Sequence, residues 1–407
     1  MKQFDVPSVY RSSIIGKIKS KRKLEDPRKK DFSASEHVIG KITFIIPRHF
    51  GFCYGVENAI EKSYKAIAEN PNKRIYLLSQ MIHNPDVNDD LQSYGLKFLQ
   101  DTNGRQLIPF ESLTQEDIVI IPAFGTTLQI EEQLRNRGVN IDTYNTTCPF
   151  VEKVWNRSEK LGENGHTLVI HGKYEHEETR ATFSRSTKNA PSIIVRDLKE
   201  TQVLADAILG KISEKHFFNH FLNKLSDDFQ FSRDLKKIGV VNQTTMLASE
   251  TQEIADFLRK TMILKYGVDE IRNHIADTRD TLCYATNDNQ SATLGMLENI
   301  ADFAIVVGGY NSSNTSHLVE LLERKFKTYY IKGCSEILSR NEILSYNIHQ
   351  HTLEKFTQFL PQKEPLRIIV TSGASCPDSM VDSVIRKIVS LHHPNESIDR
   401  LLEQIVV

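Results

Sequence analysis

The feature that most limits the possible folds is an alternation, from residue 41 onward, of short apolar segments with longer helix-like segments. The apolar segments are rich in Ile and Val and are apolar on both faces, as are parallel strands that helices cover on both sides. The clearest of them are KITFII (41–46), NIDTYN (140–145), TLVIHG (167–172), KIGVVN (237–242), FAIVVGG (303–309) and RIIVTSG (367–373). The pattern predicts an α/β fold with parallel sheets.

Length and composition narrow the class of protein further. The chain has 407 residues, enough for two or three core-forming units. Its net charge of −1 gives no overall electrostatic reason to expect nucleic acid or membrane as a partner. No apolar run approaches the length of a membrane span, and the N-terminus lacks an apolar signal core. The five cysteines are far apart and odd in number, which favours a reducing, cytoplasmic location over a disulfide scaffold.

Two segments interrupt the α/β pattern. Residues 1–40 hold ten Lys or Arg against five Asp or Glu and show little helical periodicity. We interpret them as a basic N-terminal tail, a solvated arm that could fold on a partner or a neighbouring subunit. Residues 203–235 have the composition of a helical insertion between two strands.

Polar residues follow several of the predicted strands. They occur in LLSQMIHN, VIHGKYEHEE, VVNQTT, VVGGYNSSN and IVTSGAS. Each of these endings on its own is typical of turn and cap residues. Because ligands of open parallel sheets bind outside the carboxyl ends of the strands, five such endings favour a binding site. Hydroxyls, histidines and backbone N–H groups can bind an anion there without Lys or Arg.

Three cysteines share one local context, an extended segment before the cysteine and a helix-like segment after it. They are Cys53 in GFCYGVENAI, Cys148 in TTCPFVEKVW and Cys283 in TLCYATNDNQ. Cys334 and Cys376 lack that context, so we expect them to be structural. Burial explains any single cysteine, but three matching ones favour metal ligands. A zinc site would need a fourth ligand and usually a CxxC pair, which the sequence lacks, whereas three thiolates suit an iron–sulfur cluster with one open iron.

At this level of detail the sequence resembles the 4-hydroxy-3-methylbut-2-enyl diphosphate reductase family, and specifically its longer members. The resemblance extends from residue 42 to about residue 385. Its motifs occur in the family's order: GFCYGVENAI, MIHNPDVNDDL, TTCPFVEKVW, GKYEHEETRAT, NQTT, TLCYATNDNQ, NSSNT and TSGASCPD.

The resemblance implies a role for each matching residue. It implies that Cys53, Cys148 and Cys283 are ligands of a [4Fe-4S] cluster, and that Glu178 delivers a proton, with the substrate-contacting Thr244 beside it. The implied substrate-binding residues are His83, His176, Ser312, Ser313, Asn314 and Ser375. Without the resemblance, Glu178 could equally be a solvated surface acid, and either histidine could be structural. Phe124 departs from the shorter members, which have a histidine there, so one imidazole contact with the diphosphate is in question.

The resemblance also implies an architecture and an activity. Three α/β units would surround the cluster in a pseudo-threefold arrangement, at residues 41–147, 148–282 and 283–407, the last range including a C-terminal tail. The implied reaction is reductive removal of the substrate's hydroxyl to give isopentenyl and dimethylallyl diphosphates, with electrons from ferredoxin or flavodoxin. Two other functions remain open: a three-cysteine cluster lyase that performs non-redox dehydration, and a cluster-based redox sensor whose basic tail binds nucleic acid. The tail lacks the interleaved aromatic residues of a single-strand binder, so nucleic acid is not expected.

Overall fold

A computed structural model describes residues 4–28, 30–276 and 281–402. The chain divides into two compact lobes. The first lobe comprises residues 1–57, 83–87 and 284–407, and the second comprises residues 58–82 and 88–283. Among the described residues, no helix has the length and apolar composition needed to cross a membrane.

The first lobe is built on a sheet of order β1-β2-β13-β9-β10, in which every pair is parallel except β1 with β2. Its strands are β1 (Ser35–Ile39), β2 (Ile42–Ile46), β9 (Phe303–Val307), β10 (Thr328–Ile331) and β13 (Leu366–Ser372), and a separate antiparallel hairpin consists of β11 (Glu342–Asn347) and β12 (Thr352–Thr357). The helices that begin in this lobe are α1 (Ser13–Glu25), α2 (Tyr54–Glu69), α3 (Pro85–Ser93), α12 (Tyr284–Met296), α13 (Ser313–Glu323), α14 (Asp378–His392) and α15 (Ile398–Leu402).

The second lobe contains two three-stranded parallel sheets, of order β4-β3-β5 and β7-β6-β8. Their strands are β3 (Ile75–Leu77), β4 (Lys97–Phe98), β5 (Ile118–Ile120), β6 (Thr167–His171), β7 (Ser192–Val195) and β8 (Ile238–Asn242). Its helices are α4 (Leu128–Asn136), α5 (Pro149–Glu163), α6 (Glu177–Ser186), α7 (Leu198–Ile208), α8 (Glu214–His220), α9 (Phe231–Asp234), α10 (Ala248–Tyr266) and α11 (Ile271–His274). The segment 203–235, predicted as a helical insertion, contains the end of α7 together with α8 and α9.

The central strands are buried on both faces, which explains their continuous apolar sequences. Every residue of β2, β6, β8 and β9 is buried. Helix α14 packs on the first sheet with Val381, Ile385 and Ile388, whose spacing of three and four residues places them on one helical face. Each such fully buried side chain stabilises the fold by about 1.5–3 kcal/mol.

The pairing of parallel strands decides which loops become neighbours. In the first lobe, Val370 of β13 is in register with Ile305 of β9, and β13 also pairs with β2. The loops that follow these three strands therefore leave the same edge of the sheet. In the second lobe, His171 of β6 is in register with Asn242 of β8, so the loops after these two strands are adjacent.

Two expectations about strands differ from the structure. Strand β2, predicted to belong with the rest of residues 41–147, pairs instead with β13, so that segment contributes strands to two different sheets. NIDTYN (140–145) is not a strand, because it makes only one isolated bridge, between Asn145 and Ile121. Local sequence does not decide either point, since strand pairing is a long-range choice.

The interpretation of residues 1–40 as a solvated arm is wrong for the part that the structure describes. Helix α1 buries Ile14, Ile15 and Ile18 in the core of the first lobe. Ser12 caps this helix by accepting a hydrogen bond from the Ile15 N–H at 3.1 Å. Strand β1 then pairs with β2, so the segment is an integral part of the lobe.

Candidate active site

Cys53, Cys148 and Cys283 occupy the same local position. Each lies immediately before the first residue of a helix, which is α2, α5 or α12. All three are half-buried, and none of the five cysteines, all in the described part of the chain, forms a disulfide. A helix N-terminus stabilises negative charge, so this position favours a thiolate ligand. By contrast, Cys376 is fully buried, and burial raises the pKa of its thiol.

In the first lobe, the backbone of Ala374 connects Cys53 to the polar loops. The Cys53 N–H donates to the Ala374 carbonyl at 3.2 Å, and the Ala374 N–H donates to Oδ1 of Asn314 at 3.0 Å. Because Asn314 must present an oxygen to that N–H, its amide NH2 group points elsewhere. This nitrogen is buried and has no hydrogen-bond partner among the described residues. A buried unsatisfied donor costs about 1–3 kcal/mol, so a ligand that accepts from it would be favoured.

Ser312, Ser313 and Asn314 form the N-terminus of α13 and are all buried. Ser312 is the cap residue, and its hydroxyl oxygen accepts from the Thr315 N–H at 3.3 Å and from the Thr315 hydroxyl at 2.9 Å. The first-turn N–H groups of this helix carry the positive end of its dipole. A helix N-terminus with this composition is suited to a phosphate or diphosphate group.

His83 and Ser375 lie beside this helix end in the same lobe. The Ser375 hydroxyl donates to the His83 carbonyl at 3.2 Å, and both residues are buried. A Cβ at Gly309 would lie 2.4 Å from the same carbonyl, so only glycine allows the loop after β9 to approach it. The structure thus brings His83, Ser375 and the start of α13 together from three distant parts of the sequence, while His176 belongs to the second lobe.

In the second lobe, Thr244 connects Cys283 to Glu178. The Cys283 N–H donates to the Thr244 carbonyl at 3.2 Å. The Thr244 N–H and hydroxyl in turn donate to the two carboxylate oxygens of Glu178, at 2.5 Å and 2.9 Å. Glu178 is 1% exposed, which excludes the alternative that it is a solvated surface acid.

Burial governs the charge state of Glu178 and of Cys148. Burial raises the pKa of Glu178 to about 7, although the two hydrogen bonds from Thr244 act in the opposite direction. Burial likewise raises the pKa of Cys148 to about 12, and the nearby Cys283 and Glu178 add to this effect. A carboxyl with this pKa can be protonated near neutrality, as a general acid must be. The Cys148 thiol would ionise only with a compensating positive charge, such as a coordinated metal.

His176 is the cap residue of α6, and its Nδ1 accepts a hydrogen bond from the Glu178 N–H at 3.2 Å. In the neutral ring the proton is therefore on Nε2, which can donate to an anion. The Phe124 ring meets the His176 ring edge-on, with centroids 5.5 Å apart. Phe124 therefore packs against an imidazole and offers no polar contact of its own.

The sequence reasoning missed two positioning residues, Asn242 and Gln243. Asn242 accepts from the Thr281 N–H at 2.9 Å and donates its own N–H to the Thr281 hydroxyl at 2.8 Å, which ties the Cys283 loop to β8. Gln243 accepts from the Lys173 N–H at 3.2 Å and from the Thr179 hydroxyl at 3.0 Å, which holds the segment around Glu178. The only signal in the sequence for these two residues was their position in VVNQTT.

Across residues 4–28, 30–276 and 281–402, no three His, Cys, Asp or Glu side chains are close enough to bind a single metal ion.

The fold and these residues define an α/β protein with a cysteine before each of three helices. The chain belongs to the LytB family: the family model described as LytB protein matches residues 44–389. A relative from Cyanothece sp., named 4-hydroxy-3-methylbut-2-enyl diphosphate reductase, is 39% identical over 86% of this chain and 85% of its own length. A relative of the same name from Synechococcus sp. is 36% identical over 95% of this chain and 92% of its own length.

A solved structure supports the fold. It is the E-1-hydroxy-2-methyl-but-2-enyl-4-diphosphate reductase from Plasmodium falciparum, with a TM-score of 0.60 and 20% sequence identity. The match covers 86% of this chain and 87% of that chain. The predicted α/β class is therefore confirmed, and the family model and the two relatives confirm the family that the motifs indicated.

Proposed function

We propose that this chain reduces 4-hydroxy-3-methylbut-2-enyl diphosphate to isopentenyl and dimethylallyl diphosphates, the last step of the non-mevalonate pathway. The reaction consumes two electrons and two protons, and the substrate's hydroxyl leaves as water. The names of the LytB relatives support this assignment. We further propose that the protein works in the cytoplasm with ferredoxin or flavodoxin as electron donor.

The proposed cofactor is a [4Fe-4S] cluster with Cys53, Cys148 and Cys283 as its protein ligands. The half-buried thiols at helix N-termini and the raised pKa of Cys148 fit a metal-bound role better than that of a solvent-exposed nucleophile. When bound, such a cluster would supply electrons and a Lewis-acidic iron for the leaving oxygen.

The substrate's diphosphate would bind where the first lobe offers buried donors. The N-terminus of α13 and the unsatisfied amide of Asn314 support this proposal. The Ser375 hydroxyl, which donates to the His83 carbonyl, would turn its one O–H to the diphosphate instead. Their fixed positions would let them bind an anion without lysine or arginine. His83 and the Nε2–H of His176 would be further donors to the substrate.

The observation that carries the proposal is the link from Cys283 through Thr244 to a buried acid. Glu178 would hold a proton near neutral pH because burial raises its pKa to about 7. It would donate that proton to the hydroxyl as the carbon–oxygen bond breaks. Thr244 would orient the carboxyl through its two hydrogen bonds.

Anaerobic turnover would test this function. The purified protein, reconstituted with iron and sulfide, should convert the hydroxylated diphosphate to both products only when a reductant such as reduced methyl viologen is present. Substrate consumption without a reductant would identify a lyase. No consumption by a protein with full iron and sulfide content would favour a sensor.

A further inference from the structure

We propose that a basic cleft beside Cys53, formed by α1 and the loop after β2, is the docking surface for a small acidic electron-carrier protein. This inference rests on the proposed function, because only a reductase needs such a partner. It gives the described part of residues 1–40, whose purpose the sequence left open, a specific role in the first lobe.

The N-terminal segment packs against the loop that carries Cys53. Three of its aromatic rings contact three rings of that loop: Phe4 with Tyr54 at 4.8 Å, Tyr10 with Phe52 at 5.9 Å, and Phe32 with His49 at 5.4 Å. The Lys19 ammonium lies 4.5 Å from the centroid of the Phe50 ring. These contacts involve residues 49, 50, 52 and 54, so the segment holds the loop on both sides of the cysteine in sequence.

Between α1, this loop and the first turns of α12 lies a cleft of about 230 Å³. Its lining includes the basic residues Lys19, Lys23 and Arg48 and also Cys53. Asp288 is the only carboxylate among the described lining residues. Lys19 also pairs with Asp378 at 2.6 Å, and Arg48 lies 3.9 Å from Asp26. Because Cys53 lines the cleft, a partner that binds there would contact a residue proposed to hold the cluster.

Positive charge is concentrated on α1, although the chain as a whole is nearly neutral. Helix α1 carries Lys17, Lys19, Lys21, Arg22 and Lys23 against a single acid, Glu25, in a chain whose net charge is −1. Lys23, which lines the cleft, is exposed, and so are Lys17 and Lys21, which do not line it. Arg22 pairs with Asp31 at 3.3 Å. A compact positive patch on a nearly neutral protein attracts an acidic partner and orients it during encounter.

Two other partners fit this surface less well. A single-stranded nucleic acid would need aromatic rings on which its bases could stack, but Phe4 and Tyr10 are buried against the cysteine loop. The diphosphate substrate already has a set of buried donors at the N-terminus of α13, in the same lobe.

The test compares Lys23→Glu, which reverses a charge in the cleft, with Lys21→Glu, which makes the same change on the same helix outside the cleft lining. The probes are an acidic [2Fe–2S] ferredoxin and reduced methyl viologen, both used anaerobically at about 0.1 M salt, where distant charges are screened. Calorimetric titration would measure ferredoxin binding directly, and turnover would be measured with each reductant.

Lys23→Glu should raise the Kd for ferredoxin roughly tenfold and flatten the salt dependence of binding. Lys21→Glu should change the Kd by less than about threefold. Viologen-driven turnover and the KM for the diphosphate should be unchanged in both variants. Equal effects of the two substitutions on ferredoxin binding would overturn the proposal, and so would a raised KM for the diphosphate in Lys23→Glu. Failure of the proposed function would look different, because the wild-type protein would then give no product with viologen.

Discussion

Replacement of Glu178 by glutamine tests the proposed chemistry most directly, because it removes the proton while preserving the local hydrogen bonds. The Gln carbonyl can accept from the Thr244 N–H as the carboxylate does at 2.5 Å. The Gln NH2 group can donate to the Thr244 hydroxyl, which reverses the 2.9 Å bond without breaking it. The variant should therefore fold and bind substrate normally.

The size of the effect on the rate follows from the pKa of Glu178. A carboxyl with its ordinary pKa of 4.5 would be only about 0.3% protonated at pH 7, whereas one with a pKa of about 7 is half protonated. The wild-type kcat should accordingly fall as the pH rises through 7. Glutamine has no proton to give, so kcat should fall about 10²–10⁴-fold with little change in KM.

The same shift predicts an effect on stability, with a defined sign. The folded pKa lies above the unfolded value, so between pH 4.5 and 7 the folded state binds more protons than the unfolded state. The free energy of unfolding should therefore decrease as the pH rises through this range and level off above about pH 8. Relative to Glu178→Gln, iron-free wild-type protein should lose roughly 3 kcal/mol between pH 4 and pH 8.

The assays are anaerobic single-turnover kinetics across pH and denaturant unfolding of both proteins. Glu177→Gln is the matched control, because Glu177 is a buried acid in the same helical turn whose carboxylate accepts from the Ser79 hydroxyl, whereas the Thr244 N–H and hydroxyl donate to Glu178. This control should keep most of the activity. Thr244→Val should give a milder loss than Glu178→Gln. Near-normal turnover by Glu178→Gln would show that another group protonates the hydroxyl.

Three further predictions concern the cofactor and the anion site. Serine at any of the three helix-preceding cysteines should remove iron and sulfide from anaerobically purified protein, whereas serine at Cys334 should not; elemental analysis decides between these outcomes. Asn314→Ala removes a buried donor, so the KM for the diphosphate should rise roughly tenfold while the electron paramagnetic resonance spectrum stays the same. Phe124→His would place a second imidazole beside His176, and a KM lowered about threefold would reveal a new contact with the diphosphate; an unchanged KM would mean that position 124 does not reach it.

Local sequence was sufficient to predict the strands and helix starts that depend on local residue patterns. The apolar runs at 167–172, 237–242 and 303–309 contain strands because their Ile and Val residues suit burial on both faces. The three cysteines precede helices as their shared context indicated. The site residues themselves came from motifs whose order and spacing resemble one family.

The environment of each site residue could not be obtained in this way. KYEHEETR has the composition of an exposed helix start, yet Glu178 is 1% exposed because the loop after β8, more than sixty residues away, covers it. The raised pKa of its carboxyl is a consequence of that burial and not of its neighbours in sequence.

The N-terminal segment shows the same limit. Its basic composition and weak periodicity suggested a solvated arm, but α1 buries Ile14, Ile15 and Ile18 and β1 pairs with β2. The sequence by itself determined the family, the α/β class and the identity of the candidate residues, because these depend on local patterns and motifs. Only the tertiary structure decided which strands pair, which acid is buried and which surface faces Cys53, because each depends on contacts between residues that are distant along the chain.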